Sequence, residues 1–292
     1  MEKTREQLIK DYKKANQGRK VQLARKAGFN SASDYLKYLQ SASPAKKTKI
    51  KVKETPKKEM LDYVVAFDTT GSMASYLADV KKHVENLIPE MFSQDIDLKM
   101  KIIAFGDYCD MTSDKIFGKA YQESKFTDNK AELMNFVNYA QSTSGGDSPE
   151  FYELVIKKIT EETPWRDGAK KAVLFIADYD PHPVGYSYGS KVENNQIDWR
   201  KEAKKAANKG ISFDTLAILG DKFPWYKELS QITAGVWMPF QSSNKMNEVF
   251  KASAYARGSS KSKMSFATAY TAAVDSGDSE LIGTYKSLST LL

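Results

Sequence analysis

Sulfur and imidazole are scarce in this sequence. A single cysteine, Cys109, stands among 292 residues, so no disulfide can close within the chain and no thiolate cluster can hold a metal. Two histidines, His83 and His182, are too few for a zinc site unless carboxylates join them. A bound metal is therefore expected to be a hard ion held by oxygen. No uncharged apolar run reaches the length of a membrane-spanning helix. The opening residues, MEKTREQLIKDYKK, lack the apolar stretch of a signal peptide. The expected location is cytoplasmic, or a virion if the gene is phage-borne.

Catalytic signatures are missing too. An aspartyl phosphotransferase needs a second acid two residues after its nucleophile, and Thr70 holds that place after Asp68. An aspartic protease needs Gly directly after Asp-Thr, in two copies; Asp68-Thr69-Thr70-Gly71 carries an extra residue and has no second copy. Gly185-Tyr186-Ser187-Tyr188-Gly189-Ser190-Lys191 is only distantly like a phosphate-binding loop. With His83 and His182 alone, no Ser/His/Asp or Cys/His set is legible. The expectation is a protein that is not an enzyme.

Charge is present but uneven. Residues 1–59 hold 17 Lys/Arg against 6 acids, a net +11, while the remaining 233 residues carry −4. The basic character belongs to an N-terminal arm. Within residues 1–41, short helices are predicted from near Arg5 (Thr4 with Gln7 as capping box), over Arg19–Ala27 and over Ala32–Leu39. Such short helices are not stable alone and are expected to dock on the body or on a partner. Residues 42–59, rich in Lys with two prolines, read as a linker.

From residue 60 to 256, strands alternate with helices. Leu61–Phe67, Leu98–Phe105, Ala172–Ala177, Ile211–Leu219 and Val236–Pro239 read as strands. Ala74–Phe92, Lys130–Ser142, Glu150–Glu161, Ile197–Asn208, Trp225–Thr233 and Lys245–Ala256 read as helices. This alternation predicts an α/β fold, a doubly wound, mostly parallel sheet with helices on both faces. The uniformly apolar strands agree, since strands buried on both faces need no polar side. Residues 257–292, rich in Ser, Thr and Ala, read as a flexible tail with one last helix near Leu281–Leu291.

In such sheets ligands sit beyond the C-terminal ends of the strands. After the first strand, Asp68, Thr70 and Ser72 fall at alternate positions of a loop entering a helix. One carboxylate with two hydroxyls is an oxygen set suited to Mg²⁺ or Ca²⁺, although an Asp or Ser capping the next helix gives the same pattern. The segment Ser144-Gly145-Gly146-Asp147-Ser148-Pro149-Glu150 precedes another helix, and its glycines permit close backbone approach. Asp178 follows the AVLFIA strand. Asp180 and His182, in Asp178-Tyr179-Asp180-Pro181-His182-Pro183, read as turn residues, Cys109 as an inert thiol, and His83 as a solvated side chain.

Together these three segments resemble the metal-ion-dependent adhesion site of von Willebrand factor A domains. Asp68-Thr69-Thr70-Gly71-Ser72 is similar to the family's Asp-x-Ser-x-Ser, with Thr for the first Ser. Gly145-Gly146-Asp147-Ser148-Pro149-Glu150 resembles its second loop, in the Gly-Gly-Gly-Asp-x-Pro-Glu form of some intracellular members. Asp147 and Ser148 both stand as the residue facing the ion there, with Thr143 a third candidate. Asp178 matches the third loop, and Thr233-Ala234-Gly235 with the segment to Phe240 resembles the last βα unit. The resemblance covers residues 60–256. It implies a Mg²⁺ ion (or Mn²⁺ or Ca²⁺) held by Asp68, Thr70, Ser72 and Asp178 with Asp147 or Ser148, and a coordination position open to the Asp or Glu of a protein partner. Tyr186, Tyr188 and Lys191, with Trp199 nearby, lie in the loop after Asp178 and are candidates for partner recognition.

Two other functions fit the sequence. The basic arm could grip an acidic surface or nucleic acid through phosphates, although Tyr12, Phe29, Tyr35 and Tyr38 are too few to support base reading. The chain could also be a structural component of a larger bacterial or phage assembly.

Overall fold

The structure, a computed structural model, describes residues 5–40, 58–111, 120–188, 196–218, 222–239 and 245–292. It divides into two compact units, Met1–Lys58 and Glu59–Leu292.

The first unit is helical: α1 Arg5–Lys14, α2 Gln17–Lys26 and α3 Ala32–Gln40. Asn16 caps α2 by accepting from the Arg19 N–H at 3.0 Å. The helices were expected to need an outside surface, but they pack on one another. Tyr12, Ala24, Tyr35 and Leu39 are buried together, Tyr12 and Tyr35 meet edge to face at 5.7 Å, and the Tyr12 hydroxyl donates to the Ala32 carbonyl at 2.6 Å. All but Lys58 and Glu59 of the predicted linker lies outside the described residues.

The second unit is built on a six-stranded sheet: β1 Met60–Asp68, β2 Asp97–Phe105, β3 Tyr121–Glu123, β4 Lys170–Ala177, β5 Ile211–Ala217 and β6 Trp237–Pro239. Its order is β3-β2-β1-β4-β5-β6, parallel throughout except for β3. The helices are α4 Ala74–Phe92, α5 Lys130–Tyr139, α6 Tyr152–Glu162, α7 Trp199–Asn208, α8 Trp225–Ile232, α9 Met246–Arg257, α10 Ser260–Ser276 and α11 Ser279–Leu288.

β1 lies between β2 and β4 and is buried at every position after Met60. Its side chains alternate between two cores. Leu61, Tyr63, Val65 and Phe67 join Val80, Val84 and Ile88 of α4 on one face. Val64 and Ala66 join Phe151, Val155 and Ile159 on the other. The doubly wound α/β architecture expected from the apolar strands is therefore present.

Three departures have physical causes. β3 is a three-residue antiparallel edge, too short to leave a periodic signal; it pairs Glu123 with the nearly buried Lys101 of β2 at 2.7 Å. The helix predicted to reach Ser142 stops at Tyr139, because Thr143 turns back to donate its N–H to the Thr69 carbonyl at 2.9 Å. The helix predicted from Glu150 starts at Tyr152, because the Glu150 N–H is held by the Asp180 carbonyl at 2.9 Å.

The C-terminal segment departs from the expected tail, although the last helix expected near Leu281–Leu291 is present as α11. Residues 257–292 are not a flexible tail: α10 and α11 cover the same face as α4, and Phe266, Ala273, Tyr285 and Leu288 are buried in its core. Ser259 and Asp278 cap the two helices, and Gly277 takes the left-handed turn between them at φ 70°. The Ser/Thr/Ala content hid an apolar stripe through Phe266, Ala269, Tyr270 and Ala273, with helical spacing.

Candidate functional site

In the order β3-β2-β1-β4-β5-β6 the winding direction reverses between β1 and β4. At that switch point the loops leaving adjacent strands part on opposite sides and open a crevice. Asp68 ends β1 and Asp178 follows β4, so both carboxylates sit at this crevice, and both are buried.

Asp68 is held on both oxygens. Oδ1 accepts from the backbone N–H and the hydroxyl of Thr70, each at 2.7 Å. Oδ2 accepts from the Tyr152 hydroxyl at 2.5 Å. The Thr70 hydroxyl lies 3.2 Å from that of Ser72. The three alternate residues Asp68, Thr70 and Ser72 thus converge on one point.

The second loop is tied onto the first. Gly71 donates its N–H to the Ser144 carbonyl at 3.1 Å, and the Thr69 and Thr143 hydroxyls are 3.0 Å apart. From the β2 side, Asp110 accepts the Ser144 N–H at 3.0 Å and the Gly145 N–H at 3.3 Å. Gly145 has φ +63°, a conformation that other residues resist. A Cβ on Gly146 would meet Cβ of Cys109 at 2.8 Å. The paired glycines let the loop lie flat against its neighbours.

This packing decides which acid faces Asp68. Asp147 and Ser148 are exposed, and Asp147 Oδ2 accepts from the Tyr186 hydroxyl at 2.9 Å. Glu150 is buried, with its carboxyl in electrostatic contact with Asp68 and in reach of Thr70. Glu150 Oε2 and Asp178 Oδ1 are buried without a hydrogen-bond partner among the described residues. Nor does any Lys or Arg among the described residues form a salt bridge with Asp68, Glu150 or Asp178.

Three acids so placed hold their protons tightly. Burial raises all three carboxyls above the ordinary range. The charge of Asp178 adds to the rise at Asp68, and the charges of Asp68 and Asp107 add to it at Glu150. An uncompensated carboxylate in such a place costs several kcal/mol. Either protons or a cation must neutralise the group, and the donors are all oxygen, the set that hard divalent ions take.

A second cluster stands beside the first. Asp107, two residues beyond the end of β2, approaches Nε2 of His182 at 2.7 Å, and both side chains are fully buried. His182 is thus more than the turn residue its neighbouring prolines suggest. Its backbone N–H reaches the Glu150 carbonyl at 3.1 Å and Glu153 Oε2 at 3.1 Å. Glu153 is itself buried and pushed up to about 7, chiefly by desolvation. Tyr186 stacks on the His182 ring with centroids 3.6 Å apart. Burial and nearby acids raise the Cys109 thiol, in keeping with an inert cysteine. His83, expected to be solvated, is half-buried, its Nδ1 has no hydrogen-bond partner among the described residues, and its ring lies 6.1 Å from that of Phe250.

Tyr186 and Tyr188 are half-buried and Trp199 is buried; Lys191 and Phe240 lie outside the described residues. Glu150, Tyr152, Asp107 and His182 were not among the predicted site residues. Asp107 was within reach of the same rule that found Asp68 and Asp178, because it follows the apolar strand ending at Phe105.

Known proteins show the fold and little more. No family model matches the chain. A 123-residue stretch is 24% identical to a putative ariadne-like RING finger protein of Acanthamoeba polyphaga mimivirus, spanning 42% of this chain and 11% of that protein. Among solved structures, the pilus adhesin SpaC of Lactobacillus rhamnosus GG, in its open conformation, superposes with a TM-score of 0.50 at 13% identity, over 68% of this chain and 30% of the adhesin. The conserved hypothetical protein BatB of Bacteroides thetaiotaomicron aligns at a TM-score of 0.45 and 17% identity, over 65% of this chain and 96% of BatB. The chain therefore spans about a tenth of the mimiviral relative and three tenths of the adhesin. The α/β fold is shared with the adhesin.

Proposed function

We propose that residues 59–292 form a cation-dependent protein-interaction module of the von Willebrand factor A type, without catalytic activity. The ion is Mg²⁺, with Mn²⁺ or Ca²⁺ as substitutes. Asp68, Thr70, Ser72 and Asp178 hold it, directly or through water, and Glu150 takes the place that the sequence left between Asp147 and Ser148. One observation carries this reading: Asp178 Oδ1 and Glu150 Oε2 are both buried beside Asp68 with no hydrogen-bond partner among the described residues. Three buried acids with no salt-bridged Lys or Arg among the described residues are a poor way to stabilise a fold and a good way to hold a dication.

A protein partner supplies an Asp or Glu carboxylate to the ion, because a dication in a partly dry crevice attracts a further carboxylate strongly. Asp147, Ser148, Tyr186 and Tyr188 are the neighbouring groups for that partner to meet.

Calorimetry with Mg²⁺, Mn²⁺ and Ca²⁺ on the wild type and on Asp68→Ala tests the site, with binding expected only in the wild type. Equal binding by both would remove the basis of the proposal. Capture of partners with and without EDTA tests the interaction.

A second reading rests on the N-terminal helices. They form their own small core, and residues 1–59 carry +11, so this unit can dock an acidic surface while the sheet domain serves as scaffold in a larger assembly. Salt-sensitive binding that survives EDTA would favour it.

A further inference from the structure

We propose that Asp107, Asp147 and His182 form a second cation site, built for a zinc-type transition metal and separate from the all-oxygen site at Asp68. The three residues each offer one donor atom, and these atoms lie within 4.8 Å of one another. Four ligands around zinc at about 2.0–2.1 Å sit roughly 3.3 Å apart, so a small adjustment of this cluster accepts the ion. The donors are two carboxylate oxygens and one imidazole nitrogen. Imidazole favours zinc and its neighbours, whereas Mg²⁺ and Ca²⁺ prefer oxygen alone.

The site is built rather than accidental. Asp107 and His182 are fully buried and already meet at 2.7 Å through Oδ1 and Nε2. The other ring nitrogen, Nδ1, is buried and has no hydrogen-bond partner among the described residues. Tyr186 supports two donors at once: its hydroxyl donates to Asp147 Oδ2 at 2.9 Å, and its ring stacks on His182. Asp107 is anchored by its own N–H on Asp110 Oδ2 at 3.0 Å, and the His182 N–H by Glu150 and Glu153. Such outer contacts hold metal ligands in place. Asp147 is exposed, which gives the ion an entry path and an open position.

The ion would pin together three loops, those after β2 and β4 and the Gly145–Glu150 segment. These loops also frame the site at Asp68.

The test uses the full chain, stripped with EDTA and then saturated with excess Mg²⁺ to fill the oxygen site. Zn²⁺ is titrated by calorimetry, and Co²⁺ serves as an absorbing probe of nitrogen ligation. The wild type and Asp68→Ala are expected to bind one Zn²⁺ alike. His182→Asn and Asp147→Asn are each expected to weaken Zn²⁺ by roughly tenfold or more, and His182→Asn to change the Co²⁺ spectrum. Asp147 is on the surface, so its variant keeps the test valid even if His182→Asn misfolds. Unchanged Zn²⁺ affinity in Asp147→Asn, absence of binding to the wild type, or loss of binding in Asp68→Ala alone would overturn the proposal.

Discussion

The hydroxyl of Tyr152, in the first turn of α6, donates a 2.5 Å hydrogen bond to Oδ2 of Asp68, at the end of β1. Both groups are fully buried, and Tyr152 stacks on Trp225 at 5.4 Å, so the hydroxyl is aimed by packing on both sides. Tyr152→Phe keeps the ring and removes only the donor. Without ion, the variant is expected to lose about 1–3 kcal/mol, because a buried carboxylate oxygen loses its partner. Mg²⁺ affinity is expected to fall roughly tenfold or more, since an outer group that orients a ligand is gone. Urea unfolding in EDTA and calorimetry with Mg²⁺ read the two effects separately. Wild-type values in both would show that Tyr152 neither supports nor orients Asp68.

The pH dependence of stability follows from the same acids. Asp68, Glu150 and Asp178 are all raised, with burial the largest cause. Between the ordinary carboxylate range near pH ~4 and the raised folded values, the folded state holds protons that the unfolded chain has released. Stability without ion is therefore greatest in acid and falls as pH rises from about 5 toward 8. Added Mg²⁺ replaces those protons and is expected to restore the alkaline end. Glu150→Gln removes one of the three charges, so its ion-free profile should be flatter and its Mg²⁺ binding weaker. Urea midpoints in EDTA that rise across this range would contradict the assignment.

How far the sequence reached can be judged residue by residue. β1 and β4 were legible because a central parallel strand buried on both faces reads as an unbroken apolar run. Asp68 and Asp178 were legible because each directly follows such a run. Glu150 was hidden because Pro149 ahead of a helical pattern made it look like a first-turn residue; the backbone bond to Asp180 that pulls it out of the helix joins segments far apart in the chain. His182 was hidden for a related reason. Pro181 and Pro183 announce a rigid turn, and nothing local says that the turn folds inward onto Asp107.

At the opposite end of β1, Arg166 binds two acids. Its Nε reaches Asp62 Oδ1 at 2.7 Å and its Nη1 reaches Asp97 Oδ1 at 2.7 Å. Asp62 is fully buried, and its other oxygen accepts the Arg166 backbone N–H at 2.6 Å. Arg166→Ala strands that buried charge and is expected to cost about 3–5 kcal/mol. Arg166→Lys keeps the charge but not the fork, so it should recover only part of the loss. Both variants should leave Mg²⁺ binding intact once folded, because the pair lies at the strand end away from Asp68. A loss under 1 kcal/mol in Arg166→Ala, measured by urea unfolding, would mean that the pair contributes little.

The C-terminal helices give the clearest separation between stability and site. Phe266 is buried in the core shared with α4 and packs edge to face on Tyr285 at 5.0 Å. Phe266→Ala leaves a cavity between α10, α11 and the sheet domain, with an expected cost of about 3–5 kcal/mol. If residues 257–292 only trailed from the domain, the same change would cost almost nothing. Deleting the segment exposes that apolar face of the core and should lower solubility as well as stability. Amide exchange offers an independent reading: slow exchange is expected along the buried stripe of α10, near Phe266 and Ala273, with faster exchange toward exposed Met264. Uniformly fast exchange over residues 260–288 would contradict the packed arrangement.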